Sequence, residues 1–273
     1  MAKRAVLIAA TLALISASCS TAGQTAEVGP EIDPVQEPAG ASAEHLEVAV
    51  EPADEGTSFA LNFSVEERAP SVIVGAVIGP SISIYSEPNG SSPPVAELSN
   101  PNAVGGPLVF QLLATEVENL GQRVEVLLPL RPNGRTGWIE RDELELSSNP
   151  FRIEIDIDEH HMQVLKANEP WLTTTVAIGT GDTPTPIGRF YITELLQPPT
   201  DDGPYGAFAF GLSGFSETLT EFAGGEGVIG IHGTNDPSSL GTDVSHGCVR
   251  VDNAQISALA AVLPLGTPVL IQS

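Results

Sequence analysis

The run Phe151–Arg152–Ile153–Glu154–Ile155–Asp156–Ile157 alternates apolar and charged side chains without a break. A strand turns successive side chains to opposite faces, so this pattern buries one face and wets the other. Ser81–Ile82–Ser83–Ile84–Tyr85 repeats the period. Apolar, β-branched or alternating runs recur at residues 71–78, 109–113, 123–128, 162–165, 171–178, 189–195, 207–212, 228–231 and 267–271. The 27 glycines and 23 prolines interrupt the chain too often for long helices. One helix is expected, N-capped by Asp252 and running to Leu263, with Ile256, Leu259 and Ala260 on one face. Pro264–Leu265–Gly266 ends it. The fold class is mainly β with one short helix.

A chain of 273 residues has room for about two domains plus tails. Residues 1–19 read as an export signal: Met1–Ala2–Lys3–Arg4 is basic, residues 5–15 are apolar but too short to span a bilayer, and Ser16–Ala17–Ser18 are small. The position of Cys19 resembles a bacterial lipoprotein signal, in which the cysteine is lipidated and becomes the new N-terminus. Ser16 stands where such signals usually carry an aliphatic residue. The alternative is an ordinary cleaved signal peptide. Residues 20–70 form a disordered acidic linker, punctuated by proline, with Arg68 its one basic residue. Within it Phe59, Leu61, Phe63 and Val65 alternate, as a short strand would, and His45 is solvated. The net charge of −24 argues against nucleic acid as a partner and against a basic patch for anionic membranes. Membrane contact is expected through the lipid anchor alone.

Residues 71–147 hold five short strands, with turns at Pro88–Asn89–Gly90 and Pro132–Asn133–Gly134 and a late Gly137–Trp138–Ile139 strand. This pattern resembles a bacterial SH3-like domain. It implies a wall-binding or spacer module, or a packing partner for the next domain. Residues 151–273 form that last domain. Its long loop, Gln197 to Gly206, reads as a lid or binding loop and contains Tyr205. Adjacent His160 and His161 fall on a turn and read as solvated rather than metal-binding.

Chemistry concentrates in Ile231–His232–Gly233–Thr234 and Ser245–His246–Gly247–Cys248–Val249–Arg250. Cys248 is the one cysteine outside the leader. A thiol with a pKa of about 8.5 is only a few per cent ionised at neutral pH, so a nucleophilic cysteine needs a neighbour that takes its proton. His232 and His246 are both candidates, and the residues alone do not choose between them. His246 lies two positions away on the same face of an extended chain. His232 is brought back by the turn formers between the two stretches. Gly247 permits unusual backbone angles and leaves the amides of Gly247 and Cys248 uncovered for an oxyanion. Arg250 suits a substrate carboxylate. A zinc site of His232, His246 and Cys248 competes, but zinc needs three or four converging ligands.

Taken together the two stretches resemble the signature of the L,D-transpeptidase (YkuD) catalytic domain. The resemblance extends to Thr183–Pro184–Thr185–Pro186–Ile187–Gly188 and to Pro264–Leu265–Gly266–Thr267–Pro268–Val269. It implies a β sandwich with the cysteine in a cleft under a loop lid. It further implies that Cys248 attacks peptidoglycan stem peptides, releases D-Ala and passes the acyl group to a second stem as a 3→3 cross-link. By the same resemblance His232 is the proton donor and acceptor, the Gly233 carbonyl orients it, and His246 and Gly247 line the oxyanion side with Cys248. Arg250, Ser245, Thr234 and Tyr205 are expected to bind substrate. Arg250 stands where many members carry Asn. No metal or cofactor is implied, and carbapenem-type β-lactams are expected inhibitors. The alternatives are an L,D-carboxypeptidase acting on the same stems, or a non-catalytic wall-binding protein. The expected location is the outer face of the cell membrane, the wall or the periplasm.

Overall fold

The computed structural model describes residues 71–114, 116, 120–221 and 225–273. The expectations for residues 1–70 (export signal, lipidated Cys19, acidic linker, the Phe59–Val65 alternation and His45) lie outside these residues.

The first part carries seven strands: β1 (Val72–Val77), β2 (Ser81–Ile84), β3 (Ala96–Ser99), β4 (Val109–Gln111), β5 (Arg123–Leu127), β6 (Thr136–Glu140) and β7 (Leu144–Asn149). They form a three-stranded sheet in the order β4-β1-β7 and the antiparallel pairs β2-β3 and β5-β6. The alternation of the sequence is kept. Ile82 and Ile84, two residues apart on β2, both enter a core with Phe110, Val126 and Ile139. Strands β3 and β7 are additional to the five that the sequence signals, and β3 carries the weaker pattern. Its Ala-Glu-Leu-Ser stretch has no β-branched residue and is half exposed, and cross-strand pairing with β2 holds it in place.

The second part begins without a linker, because β7 runs to Asn149 and β8 (Phe151–Asp156) starts after Pro150. Its further elements are β9 (His161–Lys166), β10 (Glu169–Thr175), β11 (Ile178–Gly179), β12 (Gly188–Leu196), β13 (Ala209–Phe215), β14 (Val228–His232), β15 (Asp243–Ser245), β16 (Val249–Arg250), α1 (Asn253–Ala260) and β17 (Pro268–Gln272). Eight of these strands make one curled sheet in the order β10-β9-β8-β17-β12-β13-β14-β16. Its inward residues converge on a single core that includes Ile153 and Ile155 of β8, Phe190 of β12, Phe210 of β13, Ile231 of β14 and Val249 of β16. Ile256 and Leu259 of α1 join that core as the helical spacing requires. Asp252 caps the helix by accepting from the Ala254 amide at 2.8 Å. The helix stops at Ala260, earlier than the expected Leu263. The last turn relaxes at Ala261 and Val262, though Leu263 still donates to the Leu259 carbonyl. Strand β13 extends to Phe215, into a stretch whose sequence reads as irregular. Among the described residues no helix is long and apolar enough to cross a membrane.

The two parts are joined by directional contacts. Asn149, 2% exposed, donates to Thr267 Oγ1 at 2.9 Å and accepts from the Phe151 amide at 2.9 Å. Val74 of β1 packs where a Cβ on Gly266 would stand, 2.5 Å away, so only glycine fits there. The hairpin turn after β5 does more than reverse the chain. Asn133 both donates to the Phe215 carbonyl and accepts from the Phe215 amide, each at 2.8 Å. Arg131 donates to the carbonyls of Ser216 and Glu226, each at 2.8 Å, and lies over the Phe215 ring.

These contacts predict one cooperative unfolding transition for residues 71–273. Asn133→Ala leaves the Phe215 amide and carbonyl without partners and is expected to cost about 1–3 kcal/mol. Calorimetry of the variant checks this; two separate transitions in the unmutated protein would show that the parts unfold independently.

Candidate active site

Strand order explains how residues far apart in sequence meet. Strand β14 ends at His232, and β16 lies parallel to it with Ile231 opposite Val249 and His232 opposite Arg250. The Val251 amide closes the ladder on the His232 carbonyl at 2.9 Å. Parallel neighbours need a crossover, which the turn formers of residues 233–248 supply. Cys248, directly before β16, therefore lies beside the middle of β14, where the Gly230 backbone hydrogen-bonds the thiol.

The crossover is pinned at several points. Strand β15 pairs in parallel with β11. The Ser245 carbonyl accepts from the Thr180 amide and the Thr183 hydroxyl, each at 3.1 Å. His160 Nε2 meets Asp243 Oδ1 at 2.7 Å. This last contact corrects the reading of His160 as a merely solvated turn residue: it ties the β8–β9 turn to the strand that leads into the cysteine motif. His161 begins β9 rather than sharing that turn.

The motif's own backbone departs from expectation at Gly247. Its φ of +112° is open to glycine alone, as its flexibility suggests. Its amide, however, donates to Ser245 Oγ at 3.1 Å, and Ser245 in turn donates to the Cys248 carbonyl at 2.5 Å. The Gly247 amide is thus committed inside the loop and is not free for an oxyanion. Ser245 lines the cavity, but its hydroxyl serves as the loop's internal clamp rather than as a substrate contact. Thr234, also expected to touch substrate, is 3% exposed; its hydroxyl accepts from the Asp236 amide at 3.0 Å. It braces the loop after His232.

A cavity of about 240 Å³ is lined by Pro204, Tyr205, His232, Ser245, His246, Cys248 and Arg250. All but Pro204 are expected from the sequence to serve catalysis or substrate binding. Larger hollows lie elsewhere, one of about 480 Å³ between the two parts, bordered by Leu98, Glu194 and Phe215. Its lining includes no cysteine and no histidine. The Tyr205 ring stands edge-on to His232 with centroids 4.9 Å apart, so the long loop closes over the histidine. His246 is exposed on the cavity rim. Among the described residues no three His, Cys, Asp or Glu side chains stand close enough to hold a metal ion.

His232 is 5% exposed, and its Nδ1 lies 2.7 Å from the Gly233 carbonyl. A carbonyl only accepts, so Nδ1 carries the proton and Nε2 keeps its lone pair. Desolvation lowers the imidazole pKa to about 4; the Gly233 hydrogen bond opposes this, and the Arg250 charge adds to it. Desolvation raises the Cys248 thiol, against smaller lowering effects of the Gly230 backbone and Arg250. Both shifts favour a neutral thiol beside a neutral imidazole over a thiolate–imidazolium pair. Arg250 is half-buried, and its Nε is enclosed with no hydrogen-bond partner among the described residues. The Arg250 side chain borders the cavity, where its charge suits an incoming anion.

Three residues outside the motif carry no functional signal that the sequence makes plain. Thr183 reads as part of a turn-rich loop within the stretch of family resemblance, with no role of its own, and Gly230 only as part of a strand. Asn253 looks like an ordinary first residue of a helix; its place directly after the Asp252 cap, three residues past Arg250, is the available signal.

The L,D-transpeptidase catalytic domain family, YkuD, matches residues 150–271. The chain is similar to a Bacillus subtilis protein named L,D-transpeptidase YkuD, at 35% identity over 122 residues, covering 45% of this chain and 66% of that protein. It is also similar to a second protein of that organism, named L,D-transpeptidase YqjB, at 31% identity over 140 residues, covering 47% of this chain and 74% of the relative. A crystal structure of an Enterococcus faecium L,D-transpeptidase aligns at 25% identity with a TM-score of 0.33, covering 45% of this chain and 50% of that one. The chain thus spans about two thirds of the Bacillus YkuD protein and half of the solved chain.

The lowered His232 pKa has a consequence for stability. The unfolded chain protonates this histidine near 6.5 and the folded protein only near 4. Between those values the unfolded state binds more protons, so stability falls as pH drops through the window. At about 1.4 kcal/mol per pH unit the full loss is roughly 3 kcal/mol. His232→Gln is expected to remove this component from denaturation midpoints compared at pH 7 and pH 4.5. An unchanged acid loss in the variant would mean that His232 titrates as an exposed histidine.

Proposed function

This chain belongs to the L,D-transpeptidase family, and on that premise we propose that it forms 3→3 peptidoglycan cross-links through a Cys248 acyl-enzyme. The observation that carries the reading is the fixed tautomer of His232. Its Nδ1–H is held by the Gly233 carbonyl, and its free Nε2 belongs to the same cavity as the Cys248 thiol.

With both groups neutral at rest, proton transfer and bond formation belong together. Nε2 takes the thiol proton as Sγ attacks the carbonyl between the diamino acid and D-Ala of a donor stem. The Cys248 amide receives the developing oxyanion, since the Gly247 amide is already engaged. The imidazolium then gives its proton to the D-Ala nitrogen, the C–N bond breaks, and a thioester remains. An amine from a second stem attacks that carbonyl and gives up a proton to His232, and the thiol is restored. Arg250 offers a charge for the stem's terminal carboxylate. Tyr205 covers the base and keeps water from the thioester. No step needs a metal or cofactor. An export signal ending at a lipidated Cys19, followed by an acidic linker, would hold this chemistry at the outer face of the membrane within reach of the wall. The SH3-like part would then act as a rigid brace or wall contact.

Incubation with tetrapeptide-bearing muropeptides, read by mass spectrometry, is expected to yield D-Ala and 3→3 dimers. Cys248→Ala abolishes both, and His232→Ala lowers the rate by about 10²–10⁴-fold. D-Ala without dimers would make the protein an L,D-carboxypeptidase. Strong chelators should leave the rate unchanged. A carbapenem is expected to add covalently to the native protein and not to Cys248→Ala; an adduct-free native spectrum would count against a stem-reading thiol.

A further inference from the structure

We propose that Asn253 is a positioning residue that locks the Tyr205 loop over the His232 end of β14, and so sets which acyl groups reach Cys248. The inference rests on the reading of Cys248 and His232 as the reacting pair.

Asn253 opens α1, two residues after the β16 ladder closes on His232. That short connection sets its side chain beside two other segments at once. Its Oδ1 accepts from the Thr234 amide at 3.1 Å and from the Ala207 amide at 3.3 Å. Its Nδ2 donates to the Asp201 carbonyl at 3.2 Å. Two N–H donors on one side and a carbonyl on the other admit one orientation of the amide, so the assignment is fixed by chemistry. A single side chain therefore links both ends of the 201–207 loop to the segment after His232.

Two glycines show how closely these segments are drawn together. A Cβ on Gly206 would fall 2.1 Å from Asn253 Oδ1 and 2.6 Å from the Gly233 backbone. A Cβ on Gly233 would meet the same Oδ1 at 2.1 Å. Gly206 also has a φ of +63°, which glycine adopts without strain. Pro204 and Tyr205, directly before Gly206, form one wall of the reaction cavity, and Tyr205 touches the His232 ring. Gly233, on the other side of the clamp, supplies the carbonyl that sets the His232 tautomer. The Asn253 amide therefore fixes the lid and the base relative to each other without touching substrate.

A loop held this way limits access as well as alignment. Released, it should admit small electrophiles faster and use large acyl donors worse. Asn253→Ala removes both acceptances and the donation. Asn253→Asp keeps the acceptor oxygen for Ala207 and Thr234 but turns a carboxylate oxygen toward the Asp201 carbonyl, so it frees only that end of the loop. The test uses the full chain and three readouts: alkylation of Cys248 by iodoacetamide, kcat and KM for a tetrapeptide muropeptide, and exchange of the Ala207 and Thr234 amide protons.

In Asn253→Ala, alkylation is expected to rise severalfold and kcat/KM to fall by about tenfold or more, with kcat and KM both altered, as for a lid residue. Asn253→Asp should recover most of the muropeptide rate. Faster exchange at both amides should accompany the Ala change alone. If alkylation and muropeptide turnover fall in parallel, Asn253 merely supports the fold and the proposal fails. If neither moves while the amides remain protected, the clamp is not what holds the loop, and it fails again. If the native protein does not turn over muropeptides at all, the functional reading fails by itself. Faster alkylation together with faster amide exchange would then still support Asn253 as the residue that holds the lid, and no change in either would overturn it.

Discussion

The parallel pairing of β14 with β16 is the constraint on which the rest depends. It sets His232 opposite Arg250 and brings the thiol of Cys248 to the Gly230 backbone. Two hydrogen-bonded residue pairs would be a weak support alone. They persist because one of them, Ile231 with Val249, is fully buried in the main core. The site therefore draws its rigidity from ordinary apolar burial. The candidate site residues occupy the polar end of a ladder whose apolar end is held by the sheet.

Around that ladder the loop is held mainly by backbone groups. Ser245 accepts at its hydroxyl and at its carbonyl from three different partners and donates to a fourth. Gly179 has no room for a side chain, since a Cβ there would lie 2.2 Å from the Thr183 carbonyl oxygen, and its amide donates to Thr185. The Thr-Pro-Thr-Pro loop and the cysteine loop are thus packed backbone against backbone. Glycine is needed where these backbones touch, and proline where the chain must stay out of regular pairing.

Much of this architecture is legible in the sequence, and the exceptions share a cause. Strict alternation exposes β8, and apolar runs expose most other strands, because burial of one face imposes a local period. Asp252 announces α1 through local capping chemistry. By contrast β3, β11, β15 and β16 are short and carry little pattern of their own; each is a strand only because a distant partner pairs with it. The site follows the same division. Cys248, His232 and Arg250 are visible as residue types that chemistry demands. That the Gly247 amide and the Thr234 hydroxyl are taken depends on loop geometry the sequence does not spell out, and that His160 reaches Asp243 depends on a contact made across the fold. No window of sequence contains both partners of that contact. The choice of His232 over His246 has the same character: two residues from the cysteine, His246 is nearer in sequence, yet it is His232 that the ladder buries and the Gly233 carbonyl orients.

The electrostatics of the pair bear on how a lone thiol stays useful. Thiolates, not thiols, are oxidised and alkylated, so a cysteine activated at rest would be exposed to every passing oxidant. Here desolvation holds the thiol protonated and the imidazole neutral. The Arg250 charge shifts both groups downward, easing the thiolate while making the imidazolium costlier. An anionic group bound against Arg250 would offset that charge. It would restore basicity to His232 and withdraw the same support from the Cys248 thiolate, so its two effects on proton transfer between them oppose each other. Desolvation, which disfavours the charged form of both groups, is therefore what sets the resting state of the pair.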